Sequence, residues 1–142
     1  MEGLEPIADV PAGDGIAERL PGLPAGRLRF HLVIGVRKGA GVIARVWRGW
    51  TRAADAHQYD AHYHGEVLPG LGQIPGFRGA RLLRRTVAGE TEFVSVTFFD
   101  DVDAIRAFAG PEFEKAVVAE DARRVLVRFD DRVIHYEVSA AT

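Results

Sequence analysis

The segment Phe77–Gly110, FRGARLLRRTVAGETEFVSVTFFDDVDAIRAFAG, constrains the fold more than any other part of the chain. Two runs rich in Thr, Val, Phe and Leu flank a short Ala88-Gly89-Glu90 turn, the pattern of a β-hairpin. The second run ends at Asp100-Asp101, and Val102, Ala104, Ile105, Phe108 and Ala109 follow at helical spacing. An Asp before that run caps a helix because its carboxylate accepts from the free N–H groups of the first turn. Gly110 suits the helix end, where a left-handed backbone carries no Cβ clash. Strand, turn, strand, helix in that order leaves few topologies open.

The chain has 142 residues, enough for one domain with a real core. Apolar residues at 47% and charged residues at 27% are those of an ordinary globule. A net charge of −2 offers no basic field, so nucleic acid is not an expected partner. Without a Cys there is no disulfide, no thiolate nucleophile and no Cys-based metal site. The apolar runs are too short to cross a membrane, and the acidic, Pro-interrupted start lacks the pattern of a signal peptide. The expectation is a cytoplasmic protein with no membrane partner.

The chain divides unevenly. Residues 1–41 hold four of the seven Pro and eight of the sixteen Gly, which opposes regular structure. Within them only Leu28–Val36 reads as a strand, added at a sheet edge or reaching over a partner subunit. A further expectation is that 1–41 is an upstream extension not made in the cell. In that reading Val42 stands at a GTG start codon behind a purine-rich run encoding Lys38-Gly39-Ala40. N-terminal sequencing of the native protein checks it.

The domain 42–142 reads as alternating elements. Val42–Trp50 is a strand with Ile43, Arg45 and Trp47 on one face and Ala44, Val46 and Arg48 on the other. Thr51 caps a helix from Arg52 to about Leu68, halted by Pro69-Gly70. Ala56, Tyr59, Tyr63 and Val67 form its sheet-facing stripe. The hairpin strands span about Phe77–Val87 and Thr91–Phe99, and the helix Asp101–Ala109 follows. A helical turn at Pro111–Val118, a short helix Asp121–Phe129 and a last strand Arg132–Val138 complete the reading.

That order, β-α-β-β-α-β, predicts an α+β, ferredoxin-like fold with helices on one face of an antiparallel sheet. The other face carries either Val94, Val96 and Phe98 or their alternates Phe93, Ser95, Thr97 and Phe99. Neither set is polar enough for open water, so a homodimer through the sheet faces is expected.

Five stretches carry a family likeness: IARVWRGWT (43–51), IPGFRGARLLRR (74–85), EFVSVTFFDDVDAIRAFAG (92–110), EKAV (114–117) and HYEV (135–138). They resemble the antibiotic-biosynthesis-monooxygenase-like family of dimeric α/β barrels, over nearly all of 42–138 and none of 1–41. The resemblance implies two ferredoxin-like subunits packed through their sheets, each keeping a pocket between sheet and helices. Haem degraders of that family place an Asn on the first strand, a Trp ending the third and a His after the next helix. This chain has Trp47, Phe99 and Val117 there, and no His between His64 and His135, so haem degradation is disfavoured. The cofactor-free oxygenases need only a site that binds a flat phenol or quinol, helps remove a proton and stabilises the anion.

Under that likeness Arg45, Trp47, His62 and Tyr63 are the candidate catalytic residues. Tyr59, Thr97 and Phe99 are the candidate substrate contacts, with no metal and no cofactor. Each has a plainer reading. Trp47 and the two Tyr side chains read most simply as core, and the favoured plain reading of a buried Arg45 is a salt bridge to a neighbour such as Glu137. His62 stands four residues before Glu66, a spacing that suits a tuned base or a solvated helix pair. His57 and His64 share a face but lie two turns apart, too far for one ion, and His135 reads as a strand histidine satisfied by a neighbour. The leading function is a cofactor-independent monooxygenase for a small aromatic or quinol-like molecule. The competing one is a dimeric barrel that binds a ligand, or serves in stress, without turnover.

Overall fold

The central strand of the sheet is built from the VIARVWRGW run, because both of its edges find partners. The computed structural model describes residues 35–37 and 39–142; the expectations placed on 1–41 fall almost wholly outside them. Strand β1 (Ile43–Arg52) pairs antiparallel with β3 (Glu90–Phe99) over its whole length, from Ile43 opposite Phe99 to Arg52 opposite Glu90. On its other edge β1 pairs with two short strands, β4 (Leu126–Phe129) and β5 (Ile134–Glu137). Strand β2 (Phe77–Val87) lies outside β3, giving the order β2-β3-β1-β4 with β5 also on β1. Taken together, β4 and β5 fill the place of the fourth ferredoxin-like strand, interrupted around Asp130.

The hairpin turn is tighter than its sequence suggests. Glu90 already belongs to β3, and Ala88 and Gly89 alone make the turn at φ 54° and 82°. Two positive φ values in a two-residue loop match the right-handed twist of the strands. Helix α3 (Val102–Ala109) starts where expected: the Asp101 carboxylate accepts from the Ala104 N–H at 2.9 Å. Gly110 closes it at φ 85° and ψ −174°, an extended positive-φ state open to glycine rather than the left-handed helical one.

Three segments differ from the sequence reading. Thr51 is not a helix cap but a fully buried strand residue opposite Thr91, because β1 runs on to Arg52. A 3₁₀ turn (Ala53–Asp55) then leads into α1 (Ala56–His62), a π turn (Tyr63–Val67) and α2 (Leu68–Leu71). Pro69 does not halt this helical segment. The Leu68 N–H reaches back to the Tyr63 carbonyl, and this wider turn leaves room for a residue with no N–H to give.

Pro111–Val118 is not helical either. It is held as a loop by Ala116 N–H on the Asp131 carbonyl at 2.8 Å and Val133 N–H on the Glu114 carbonyl at 2.8 Å. The helix foreseen over Asp121–Phe129 is α4 (Glu120–Val125), after which Leu126–Phe129 turn into β4. The unpaired edge of β1 at Gly49–Thr51 takes up those residues, and sheet pairing outweighs local helix propensity.

The core lies between sheet and helices. Ala56, Tyr59 and Tyr63 of the helical segment and Ala122 of α4 pack on Phe93, with Trp47, Val67 and Leu82 around them. Phe93 and Phe99 are fully buried and Thr97 nearly so, which puts the odd-numbered set of β3 under the helices. Val94, Val96 and Phe98 face the other way. Around them Leu83, Ile134 and Tyr136 stand more than half exposed, at 53%, 56% and 52%. Trp50 lies on the same open face, between the guanidinium groups of Arg48 (5.3 Å) and Arg128 (4.6 Å). Among the described residues no helix is long and apolar enough to cross a membrane.

Candidate active site

Antiparallel register assembles the site. Arg45 stands opposite Thr97 of β3 and His135 of β5, and Trp47 stands opposite Ser95. Residues two apart on a strand share a face, so this pairing places Arg45, Trp47, Ser95 and Thr97 on one patch beneath the helices. The helical segment supplies the roof, with Tyr59, His62, Tyr63, Glu66 and Val67. The π turn widens the helix at Tyr63–Val67, where Tyr63 and Val67 pack on the core. Between them lies a cavity of about 340 Å³, closed at the sides by Phe108, Val117, Val118, Ala122 and Val133.

Six of the seven sequence-predicted residues line it: Arg45, Trp47, Tyr59, His62, Tyr63 and Thr97. Phe99 does not. It has the right face but is fully buried between Phe77 (6.1 Å) and Phe108 (6.0 Å), and Phe108 takes the place at the wall. Ser95 is a lining residue that sequence reasoning left out of the site, although it shares the face of Thr97 two positions away. Phe108 and Val117 also line it, through elements whose placement no local pattern reveals, as does Glu66, four residues beyond His62 on the helical segment.

Arg45 is 5% exposed, and its guanidinium is held by backbone and ring acceptors. Nη1 donates to the Phe113 carbonyl and lies 3.1 Å from His135 Nε2, and Nη2 donates to the Lys115 carbonyl at 3.0 Å. Because an arginine only donates, His135 Nε2 accepts and the ring proton sits on Nδ1. Burial and the Arg45 charge push His135 down to about 3, so the ring is neutral. Burial also lowers Arg45, to about 10, against the opposing pull of the Glu114 carboxylate. It stays cationic at neutral pH, with the Phe108 ring 5.5 Å from its centre. The plain reading of His135 holds.

Trp47 has its indole N–H committed to the Asp130 carbonyl at 3.0 Å and its ring stacked on Tyr59 at 6.1 Å. It can therefore act as an aromatic wall. Gly49 makes that posture possible, since a Cβ there would sit 2.9 Å from Trp47 Cζ2 and 3.0 Å from Leu126 Cδ2. The Tyr63 hydroxyl is buried without a completed hydrogen bond. Burial raises its pKa, and the nearby Ser95 hydroxyl works against that rise. Tyr59 is raised still more strongly by burial, with Tyr63 and Asp60 adding to it. Both tyrosines are phenols at neutral pH, able to donate but not to act as a base. The His62 side chain is 10% exposed, and its Nδ1 has no hydrogen bond and lies 3.7 Å from Glu66 Oε1. His57 and His64 lie on the exposed side, where His64 Nδ1 donates to the Asp60 carbonyl at 2.8 Å.

No protein-family model matches the sequence, and no curated protein does. Solved structures do. A Bacillus cereus protein assigned as an antibiotic biosynthesis monooxygenase is 13% identical, covers 72% of this chain and 97% of its own, and superposes with a TM-score of 0.51. A mutant of SnoaB, a cofactor-independent oxygenase from Streptomyces nogalater, is 20% identical over 72% of this chain and 97% of its own, with a TM-score of 0.51. The monooxygenase from the gene ActVA-Orf6 of Streptomyces coelicolor, in complex with nanaomycin D, is 17% identical over 72% and 91%, with a TM-score of 0.50. At these identities the likeness is one of architecture. The α+β, ferredoxin-like domain of this chain has the fold of the antibiotic biosynthesis monooxygenases.

Proposed function

We propose that this chain is a cofactor-independent monooxygenase acting on an aromatic or quinol-like molecule held between sheet and helices. The observation that carries the reading is a buried, charged Arg45 in the wall of a cavity otherwise built largely from aromatic and aliphatic side chains. A preorganised cation in a dry site stabilises an anion far better than it would in water. Trp47, Tyr59 and Phe108 fit the flat faces of a ring, and Thr97, Ser95 and the Tyr63 hydroxyl can orient its oxygens. His62 takes the substrate proton. The resulting carbanion or phenolate passes its own electrons to dioxygen; one oxygen atom enters the ring carbon and the other leaves as water with the two hydrogens lost. The names of the S. nogalater and S. coelicolor neighbours support that chemistry.

The same proposal includes the assembly. The exposed Leu83, Ile134 and Tyr136 around Val94, Val96 and Phe98 suit a second copy of this chain, because an antiparallel sheet with one apolar face needs a cover. The test of function is oxygen uptake with a panel of hydroquinones and anthrones under metal-free conditions. Uptake that falls in Arg45→Ala, Trp47→Phe and Thr97→Val supports the reading. Binding of those compounds with no uptake above the variants removes it and leaves a ligand-binding barrel.

A further inference from the structure

His62, Glu66 and Asp121 bring one ligand atom each to within 4.8 Å of one another, and the first two also line the cavity. Two come from the i, i+4 pair on the helical segment, which puts them on one helix face, and the third from the first turn of α4. His62 is the telling member. Its side chain is nine-tenths buried, and its Nδ1, on the side of Glu66, has no hydrogen-bond partner. A buried ring nitrogen left unsatisfied costs free energy that a ligand would recover.

We propose that this triad binds a first-row divalent cation, Zn²⁺ being the representative case. One imidazole and two carboxylates are a borderline-to-hard donor set that suits such ions and leaves open positions. At metal–ligand distances of about 2.0–2.2 Å, ligand atoms stand about 3.3 Å apart, so the set has to contract. The His62–Glu66 separation is already 3.7 Å, and the Glu66 and Asp121 side chains are 63% and 57% exposed. One cation competes for the site: Arg124 Nη1 donates to Asp121 Oδ1 at 2.8 Å. Occupancy would withdraw His62 Nδ1 from proton transfer, so under the oxygenase reading the ion is an inhibitor. Binding itself does not depend on that reading.

The test is calorimetric titration of the untagged, EDTA-stripped full chain with Zn²⁺ alone, and with Mg²⁺ as a hard-ion control. One Zn²⁺ per chain is expected, with affinity at least about tenfold weaker in Asp121→Asn and in Glu66→Gln. Arg124→Gln should bind more tightly, because the competing guanidinium is gone, and a His57→Ala/His64→Ala double variant should bind as wild type does. Circular dichroism of each variant confirms that it is folded. No saturable Zn²⁺ binding, undiminished binding in Asp121→Asn and Glu66→Gln, or loss of binding in the His57/His64 variant would overturn the site.

Discussion

Replacing His135 with Gln should flatten the acid limb of the stability curve. In the folded protein the ring is neutral and accepts from Arg45, with its pKa at about 3 against an ordinary value of 6.5. Between those values the unfolded chain holds a proton that the native state refuses, so stability rises with pH and is lost as pH falls below about 6.5. The slope for one such group is about 1.4 kcal/mol per pH unit. From pH 7 to pH 4.5 the accumulated loss is about 2.5 kcal/mol, a large share of the 5–15 kcal/mol of a typical domain. Gln retains an acceptor for the guanidinium and does not titrate. Glu114, which burial raises, contributes stability of the opposite pH sense, and it cancels in the comparison because both proteins carry it. Urea unfolding of wild type and His135→Gln at several pH values between 7 and 4.5 measures the difference. Wild type should lose about 2.5 kcal/mol more than the variant over that range. Equal losses would show that the ring is not held neutral by burial beside Arg45.

Three other outcomes follow from the packing. Gly49→Val should displace the Trp47 indole and cost about 1–3 kcal/mol, seen as a changed Trp emission and a lowered Tm, since a Cβ there overlaps that ring. If the proposed assembly through the sheet faces holds, light scattering should find wild type as a dimer and Leu83→Glu combined with Ile134→Glu as a folded monomer, because both side chains stand exposed on the apolar sheet face. Asp101→Ala removes the α3 cap and should cost about 1 kcal/mol in thermal or urea unfolding.

The strand framework of the domain was legible because its signals are local. The Ala88-Gly89 turn, the Asp101 cap and the period-two faces of β1 and β3 need nothing beyond their neighbours. The missed segments were decided by distant partners. Leu126–Phe129 is a strand because β1 has a vacant edge at Gly49–Thr51, and 111–118 is a loop because its backbone bonds to the distant segment Asp131–Val133. The site divides in the same way. Arg45, Trp47 and Thr97 follow from strand faces and register, whereas Phe108 displaces Phe99 from the wall only once α3 is docked. Glu66 was visible beside His62 by spacing, but Asp121 joins them only because α4 packs on α1.

Isotope labelling reads the proposed oxygen transfer beside Arg45 directly. EDTA-treated protein is mixed with an anthrone under ¹⁸O₂, and the product is analysed by mass spectrometry. One ¹⁸O atom should enter the new carbonyl at a rate far above that of the free compound. Arg45→Met should bind the same compound but reduce labelling by about 10²-fold or more, the typical scale for removing an electrostatic anion stabiliser. Labelling no faster than in buffer, or unchanged in Arg45→Met, would contradict the account.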